Sequence, residues 1–356
     1  MKKIKIFLGA YVNFANAQNI NSDNIAKYLD KEKFEVHAMY TSKMPIKKKT
    51  YKEKGIILHR LWHRRIVWKW SKLFEMKRAK CDIYYLPKME EMDFKFAKKH
   101  KGKGKVFVSS VEGVVGEQIP IEDINAKNYF NKLMDDYFSI SGCIRDSVLN
   151  IYNYDSRVLY LGVNQIAKEV ADKKNINNIA WIGSVIDRKR PKLLLECAKA
   201  FPDLNFTMMG DGDKQSEVLE IIEKEELSNV KCLGRVPNDK VYEELKNADL
   251  LLMTSDKEGL PKVISEAMMF SAPSIYINEC YNVDYIENGV NGFAVKDIEE
   301  MKEKVQYLLD NPNVYQEMSK NAFETIQKYT WSNLIKDYEE YFINVYNKYG
   351  KNKGNK

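Results

Sequence analysis

The stretch "DLLLMTSDKEGLPKVISEAMMFSAP", residues 249–273, reads as a strand, a sharp turn and a helix laid end to end. The run 249–254 is short and apolar, of the buried-strand type. Gly259 lets the backbone turn sharply or approach a ligand closely, and Pro261 suits the first turn of a helix, where its missing N–H costs nothing. At about 100° per residue, Val263, Ile264, Ala267, Met268 and Phe270 form the buried arc of that helix. Glu266 falls on the border of the arc and Glu258 on the loop before it. A carboxylate half withdrawn from water needs a hydrogen-bonding partner, and a sugar diol supplies two donors that one carboxylate accepts together. The plainer alternative is a pair with Lys262, contributing only about 0.3 kcal/mol on an exposed helix.

Outward from this unit the same strand-then-helix pattern recurs along nearly the whole chain, which predicts an α/β protein with mostly parallel sheets. One series of strands runs "KIKIFLG", "FEVHAMY", "GIILHRL", "DIYYLP", "KVFVSS", "DYFSIS" and "SRVLYLGVN". A second runs "IAWIG", "NFTMMG", "VKCLG", "DLLLMTS" and "PSIYI", with helices starting near Pro191, Lys214, Asn238 and Pro261. The charged stretch "QIAKEVADKKNINN" between them reads as a hinge, and beyond about residue 297 the pattern is helical only. The expected organisation is a domain over 1–165, a hinge over 166–178, a second domain over 179–328, and a C-terminal helix and tail over 329–356 that returns to the first domain. In open α/β sheets, ligands bind outside the carboxyl ends of the strands, where helix N-termini offer unpaired N–H groups.

With 356 residues, 44% of them hydrophobic, the chain can build two such cores. Its five cysteines are dispersed and odd in number, without a CxxC pair, and no histidine stands at metal-ligand spacing; this predicts a reducing compartment, buried thiols and no zinc site. The opening "MKKIKIFLGAYVNF" reads as a first strand rather than a leader, and no run reaches the roughly 20 apolar residues that cross a bilayer. The formal charge of +7 is concentrated, because residues 59–80 carry eight Lys and Arg against Glu75 alone.

"EGLPKVISEAM" resembles the E-x7-E segment of retaining glycosyltransferases of family 4, with Glu258 and Glu266 as its two glutamates. "IAWIGSVIDRKRPKLLLECAKAFPDLNFTMMGDGD", "NVKCLGRVPNDKVYEELKNADLLLMTS" and "IENGVNGFAV" extend the resemblance, which covers about residues 137–345 and is weaker before them. It implies a GT-B fold, that is, two facing Rossmann-like domains with a helical C-terminal tail, and a nucleotide-diphosphate sugar held chiefly by the second domain. Carried over by position, Glu258 contacts the donor sugar and Glu266 the ribose hydroxyls, while Lys189 faces the diphosphate. Gly183, Gly259, Leu260, Pro261 and Lys262 join the donor site, as do Arg235 and Val236 on the turn where base recognition is expected. The arginine usual after the strand glycine is Ser184 here, so Arg188 or Arg190 supplies that charge.

Three cations just before Pro191, at a helix N-terminus whose dipole disfavours them, call independently for an anion to neutralise. "GDGD", residues 210–213, reads as a tight turn rather than a metal-binding D-x-D, with Gly210 and Gly212 letting the backbone approach the nucleotide. The site is therefore expected to use neither metal nor cofactor, the leaving diphosphate being stabilised by cations and helix amides. The resemblance implies a retaining transfer in which the departing phosphate helps take the acceptor's proton. The family's N-domain histidine has no counterpart; Ser110 and Glu112 lie near its place, and Gly9 stands where a Gly-Gly pair is usual, giving three acceptor-side candidates.

"HRLWHRRIVWKWSKLFEMKR", residues 59–78, read on a helix wheel, places Trp62, Ile66, Trp70, Leu73 and Phe74 on an inward arc. Arg64, Arg65, Lys69 and Lys72 then point outward around Trp68, a composition suited to an anionic membrane surface. The expected function is transfer of a sugar to a glycan or lipid-linked acceptor in cell-surface polysaccharide or glycolipid synthesis. The expected place is the cytoplasm, peripheral on the inner face of the cell membrane, without a nucleic-acid partner. The alternatives are a GT-B nucleotide-sugar epimerase and a catalytically inactive, membrane-binding relative.

Overall fold

The computed structural model describes residues 2–14, 17–62, 67–87, 90–113, 115, 134–278 and 281–350. The chain divides into two compact units, Met1–Gly162 with Trp331–Lys356, and Val163–Thr330.

Among the described residues, the first unit is built on seven parallel strands: β1 (Ile4–Tyr11), β2 (Phe34–Thr41), β3 (Ile56–Leu61), β4 (Ile83–Tyr85), β5 (Val106–Val111), β6 (Asp136–Ser139) and β7 (Arg157–Val158). Their order is β3-β2-β1-β4-β5-β6-β7. All seven coincide with the runs read from the sequence. Parallel strands flanked by helices are buried on both faces, which is why β5, "VFVSSV", is buried at every residue. The helix Trp331–Val345 belongs to this unit through its aromatic side: Tyr338 and Tyr341 meet Phe138 edge-on, and Phe342 meets Phe34 in the same way. The Tyr338 hydroxyl donates to the carbonyls of Leu159 and Tyr160. At the start of that helix the Trp331 ring packs on Gly162, so closely that a Cβ there would stand 2.5 Å from it.

The basic segment does not fold as its helix wheel predicts. His59 and Arg60 lie in β3, and the helix starts only at Val67 and runs to Ala79. Its buried side carries Ser71, Lys72, Glu75, Met76 and Ala79, whereas Trp70 and Phe74 point to solvent, as does Trp62 before the helix. Polar groups face inward because each finds a partner from far along the chain. Lys72, expected outside, is buried against Asp93 at 2.6 Å, with Glu90 at 3.5 Å. Glu75 accepts from His59 Nδ1 at 2.7 Å, His59 Nε2 meets His37 Nδ1 at 2.8 Å, and His37 Nε2 meets Glu35 at 2.9 Å. Lys69 is exposed and pairs with Glu91 at 3.2 Å. Arg64, Arg65 and Ile66, and the side chain of Trp68, lie outside the described residues.

Among the described residues, the second unit has six parallel strands: β8 (Asn178–Ile182), β9 (Asn205–Met209), β10 (Val230–Cys232), β11 (Leu250–Met253), β12 (Ser274–Ile277) and β13 (Gly292–Val295). Their order is β10-β9-β8-β11-β12-β13. β13, "GFAV", was not read as a strand; it is short, opens on glycine and follows a turn, so no apolar run announces it. Trp181, Leu250, Leu252, Ile275 and Leu194 sit at the centre of the core between this sheet and its helices. Of the cysteines, Cys81 and Cys197 are buried as expected; Cys143 and Cys232 are only half-buried, and Cys280 lies outside the described residues.

Candidate functional site

In the second sheet the order reverses between β8 and β11, and the loops leaving these two strands, residues 183–190 and 254–261, carry most of the candidate residues. This is the crevice position at which doubly wound sheets hold ligands. The two loops are stitched together. Thr254 Oγ1 accepts from Trp181 Nε1 at 2.9 Å and donates to the Lys189 carbonyl at 2.7 Å, and the Asp256 N–H donates to the Arg188 carbonyl at 3.0 Å. Asp187–Lys189 makes a single 3₁₀ turn, Arg190 takes the left-handed conformation at φ 45°, and the helix Pro191–Ala200 follows.

The stitching brings charged side chains together. Glu258 Oε1 accepts from Lys189 Nζ and from Arg188 Nη1, the latter at 3.0 Å, and Arg188 also donates to the Lys257 carbonyl. Lys189 and Glu258 are each 13% exposed, whereas Arg188 is 41% exposed. Two cations around one carboxylate leave the cluster net positive beside a helix N-terminus, an arrangement able to take up an anion. Arg190 works differently: its guanidinium clasps the backbone carbonyls of Thr254 at 2.7 Å and Ser255 at 3.2 Å. Ser184 is exposed at the head of the loop.

Gly210 and Gly212 serve the close approach of two loops to each other. A Cβ on Gly210 would lie 1.8 Å from the Gly183 carbonyl oxygen, and one on Gly212 would lie 2.2 Å from that of Val185. The Val185 N–H donates to the Asp211 carbonyl at 2.8 Å and the Gly210 N–H to that of Gly234 at 2.8 Å, which ties in the next loop, where Arg235 is exposed and Val236 half-buried. Among the described residues, no three His, Cys, Asp or Glu side chains are grouped to hold a metal ion.

After Gly259, the buried Leu260 and Pro261 lead into the helix Lys262–Met269, on which Glu266 is half-buried and Val263 less buried than its wheel position predicts. Burial pushes the Glu266 carboxyl up to about 7, against the opposing pull of Lys262 and of a hydrogen bond from Tyr242. Tyr242, on the helix Asn238–Asn247, was not read from the sequence, and nothing in local spacing announces it. Nor was Tyr281, a buried phenol in the field of Glu258 and Arg190, whose hydroxyl has no hydrogen-bond partner among the described residues. Tyr285 donates to the Pro261 carbonyl at 3.1 Å and fixes the turn.

In the first unit, Ser110 at the end of β5 accepts from the Tyr85 hydroxyl at 3.0 Å and donates to Glu112 at 2.8 Å. Gly9 is packed under the next strand, where a Cβ would stand 2.5 Å from Leu86 and 2.9 Å from the Tyr85 carbonyl oxygen.

The solved structure of Anabaena HepE in complex with UDP-glucose superposes with a TM-score of 0.78 at 15% identity, covering 96% of this chain and all of that one. The fold is GT-B. Residues 163–325, essentially the second unit, match the family of glycosyl transferases group 1. An uncharacterized glycosyltransferase of Methanocaldococcus jannaschii is 27% identical over 190 residues, 51% of this chain and 53% of its own length. The alpha-monoglucosyldiacylglycerol synthase of Acholeplasma laidlawii is 26% identical over 191 residues, 51% of this chain and 48% of its own. The chain thus spans about half the length of these curated relatives.

Proposed function

We propose that this GT-B protein transfers a sugar from a nucleotide-diphosphate donor to a glycan or lipid-linked acceptor, as a retaining enzyme of family 4 that needs no metal. The carrying observation is the junction of Arg188, Lys189 and Glu258 across the β8 and β11 loops, at the reversal of strand order. In this reading Lys189 and Arg188 swing from Glu258 to the diphosphate, and Glu258 is released to the donor sugar. Glu266 accepts from the ribose hydroxyls in place of Tyr242, and the amides of residues 259–262 steady the leaving phosphate. The protein contributes position and charge, and the departing phosphate helps take the acceptor's proton. The match of the second unit to group 1 glycosyl transferases, the UDP-glucose held by HepE and the lipid product named for the Acholeplasma relative all favour it. The test is incubation with UDP-, GDP-, ADP- and CDP-sugars and measurement of nucleotide release; release from none of them, with or without added acceptors, defeats the proposal.

The Glu266 carboxyl makes a second prediction. Held near 7, above the ordinary carboxylate range, it keeps its proton in the folded protein where the unfolded chain has lost it, so the stability it contributes declines as pH rises from about 4.5 through 7. A ribose diol donates to the ionised form, so donor binding expels the proton. Affinity for UDP-glucose is therefore expected to be full above pH 7 and to weaken by up to about tenfold for each pH unit below it. Calorimetry at pH 8 and pH 6 measures this, and Glu266→Gln should flatten the profile. A wild-type profile already flat removes Glu266 from the ribose.

A further inference from the structure

Among the described residues, the four most exposed large apolar side chains are Phe74 at 63%, Trp70 at 60%, Trp62 at 53% and Val67 at 46%, all within Trp62–Phe74. Surface hydrophobics scattered singly need no explanation, but a concentration of them marks a surface that docks on something. Val67, Trp70 and Phe74 stand at i, i+3 and i+7 of the helix Val67–Ala79 and so form one stripe along it. The opposite side of this helix is fixed by the buried Lys72–Asp93 and His59–Glu75 pairs, so the stripe cannot roll inward without stranding charges.

We infer that this stripe is a membrane-docking ridge that inserts into the interfacial zone of an anionic phospholipid bilayer. Charge selects the occupant: Arg60, Lys69, Lys77, Arg78 and Lys80 are all exposed on the same stretch of chain, Lys69 paired with Glu91 and Arg78 with Glu75, and the Arg60 guanidinium lies 4.5 Å over the Trp62 ring. Tryptophan rings belong at the level of lipid headgroups, and lysine and arginine beside them reach the phosphates. The ridge uses the side of the segment opposite to that expected from the sequence, and it places the aromatic rings, rather than the cations alone, in the bilayer. The inference does not rest on the donor reading, since vesicle binding needs no nucleotide.

The experiment is co-sedimentation of the full chain with vesicles of phosphatidylcholine alone and of phosphatidylcholine mixed with phosphatidylglycerol. Binding is expected only to the mixed vesicles, with a blue shift of tryptophan emission and quenching by brominated lipid. The double variant Trp70→Ser, Phe74→Ser should keep the wild-type Tm, because both side chains are exposed, and lose about tenfold or more of its vesicle affinity. Lys77→Glu should weaken binding at low salt and lose that effect at high salt. Equal vesicle affinity of wild type and double variant overturns the inference, as does absence of wild-type binding. A wild-type dimer in sedimentation that the double variant dissolves assigns the ridge to a protein partner and equally overturns it.

Discussion

Replacement of Lys189 by alanine is expected to cut sugar transfer, or donor hydrolysis where no acceptor is supplied, by about a hundredfold to a thousandfold. The lysine is the more deeply placed of the two cations on Glu258, and in the proposed reaction it is the charge that meets the leaving diphosphate. Glu258→Gln should lose turnover to a similar degree yet keep the thermal shift given by a bound nucleotide, whereas Glu266→Ala should lose that shift, which at a hundredfold excess over Kd amounts to about 2.7 kcal/mol. Lys192→Ala is the control: this exposed lysine, on the helix Pro191–Ala200 that follows the 3₁₀ turn, pairs with Glu217 and should leave the rate within about twofold. Wild-type rates in both Lys189→Ala and Glu258→Gln would remove the charged cluster from the chemistry.

Gly210→Ala is expected to be the most destabilising single-methyl change in the second unit, at about 3 kcal/mol or more, lowering Tm by roughly 10 °C. Two effects combine there. The Cβ would fall 1.8 Å from the Gly183 carbonyl oxygen, an overlap that only backbone movement relieves, and φ 141° is a conformation that side-chain-bearing residues rarely adopt. Gly104→Ala separates the two effects, because Gly104 also has positive φ, at 72°, but nothing lies within 4 Å of its Cβ position. It should cost only about 1 kcal/mol. Differential scanning calorimetry distinguishes them, and equal losses in the two variants would show that the close approach of the loops is unimportant. Since the Gly183 loop leads directly to Arg188 and Lys189, the damaged protein should lose donor binding before it loses its helices.

Among the described residues, twelve of the thirteen strands were legible because parallel strands buried on both faces are written as unbroken apolar runs, and the four helix starts read in the second unit, near Pro191, Lys214, Asn238 and Pro261, fall within one residue of the observed ones. The placement of Glu258 on a loop and Glu266 on the following helix was legible for a related reason: the turn between them is encoded within a few residues. What depends on pairing across long sequence distances was not. Lys72 looked like a surface cation, since Asp93 is invisible on a helix wheel, and the polar inward face of its helix turned the expected orientation of Trp70 and Phe74 around. Tyr242 likewise gains its meaning only when its helix is laid beside the one that bears Glu266. Arg190 was read as a free charge, although the carbonyls of Thr254 and Ser255 claim it, because backbone acceptors leave no mark in a sequence.

The first unit is discontinuous: its sheet is complete by Gly162, but the helix that covers Phe34, Tyr85 and Phe138 arrives only with Trp331. A chain emerging from the ribosome therefore finishes the later half, Val163–Thr330, before the earlier one can close. Until its final helix is released, the N-terminal sheet keeps an oily face uncovered, which makes that nascent intermediate the species with most need of a chaperone.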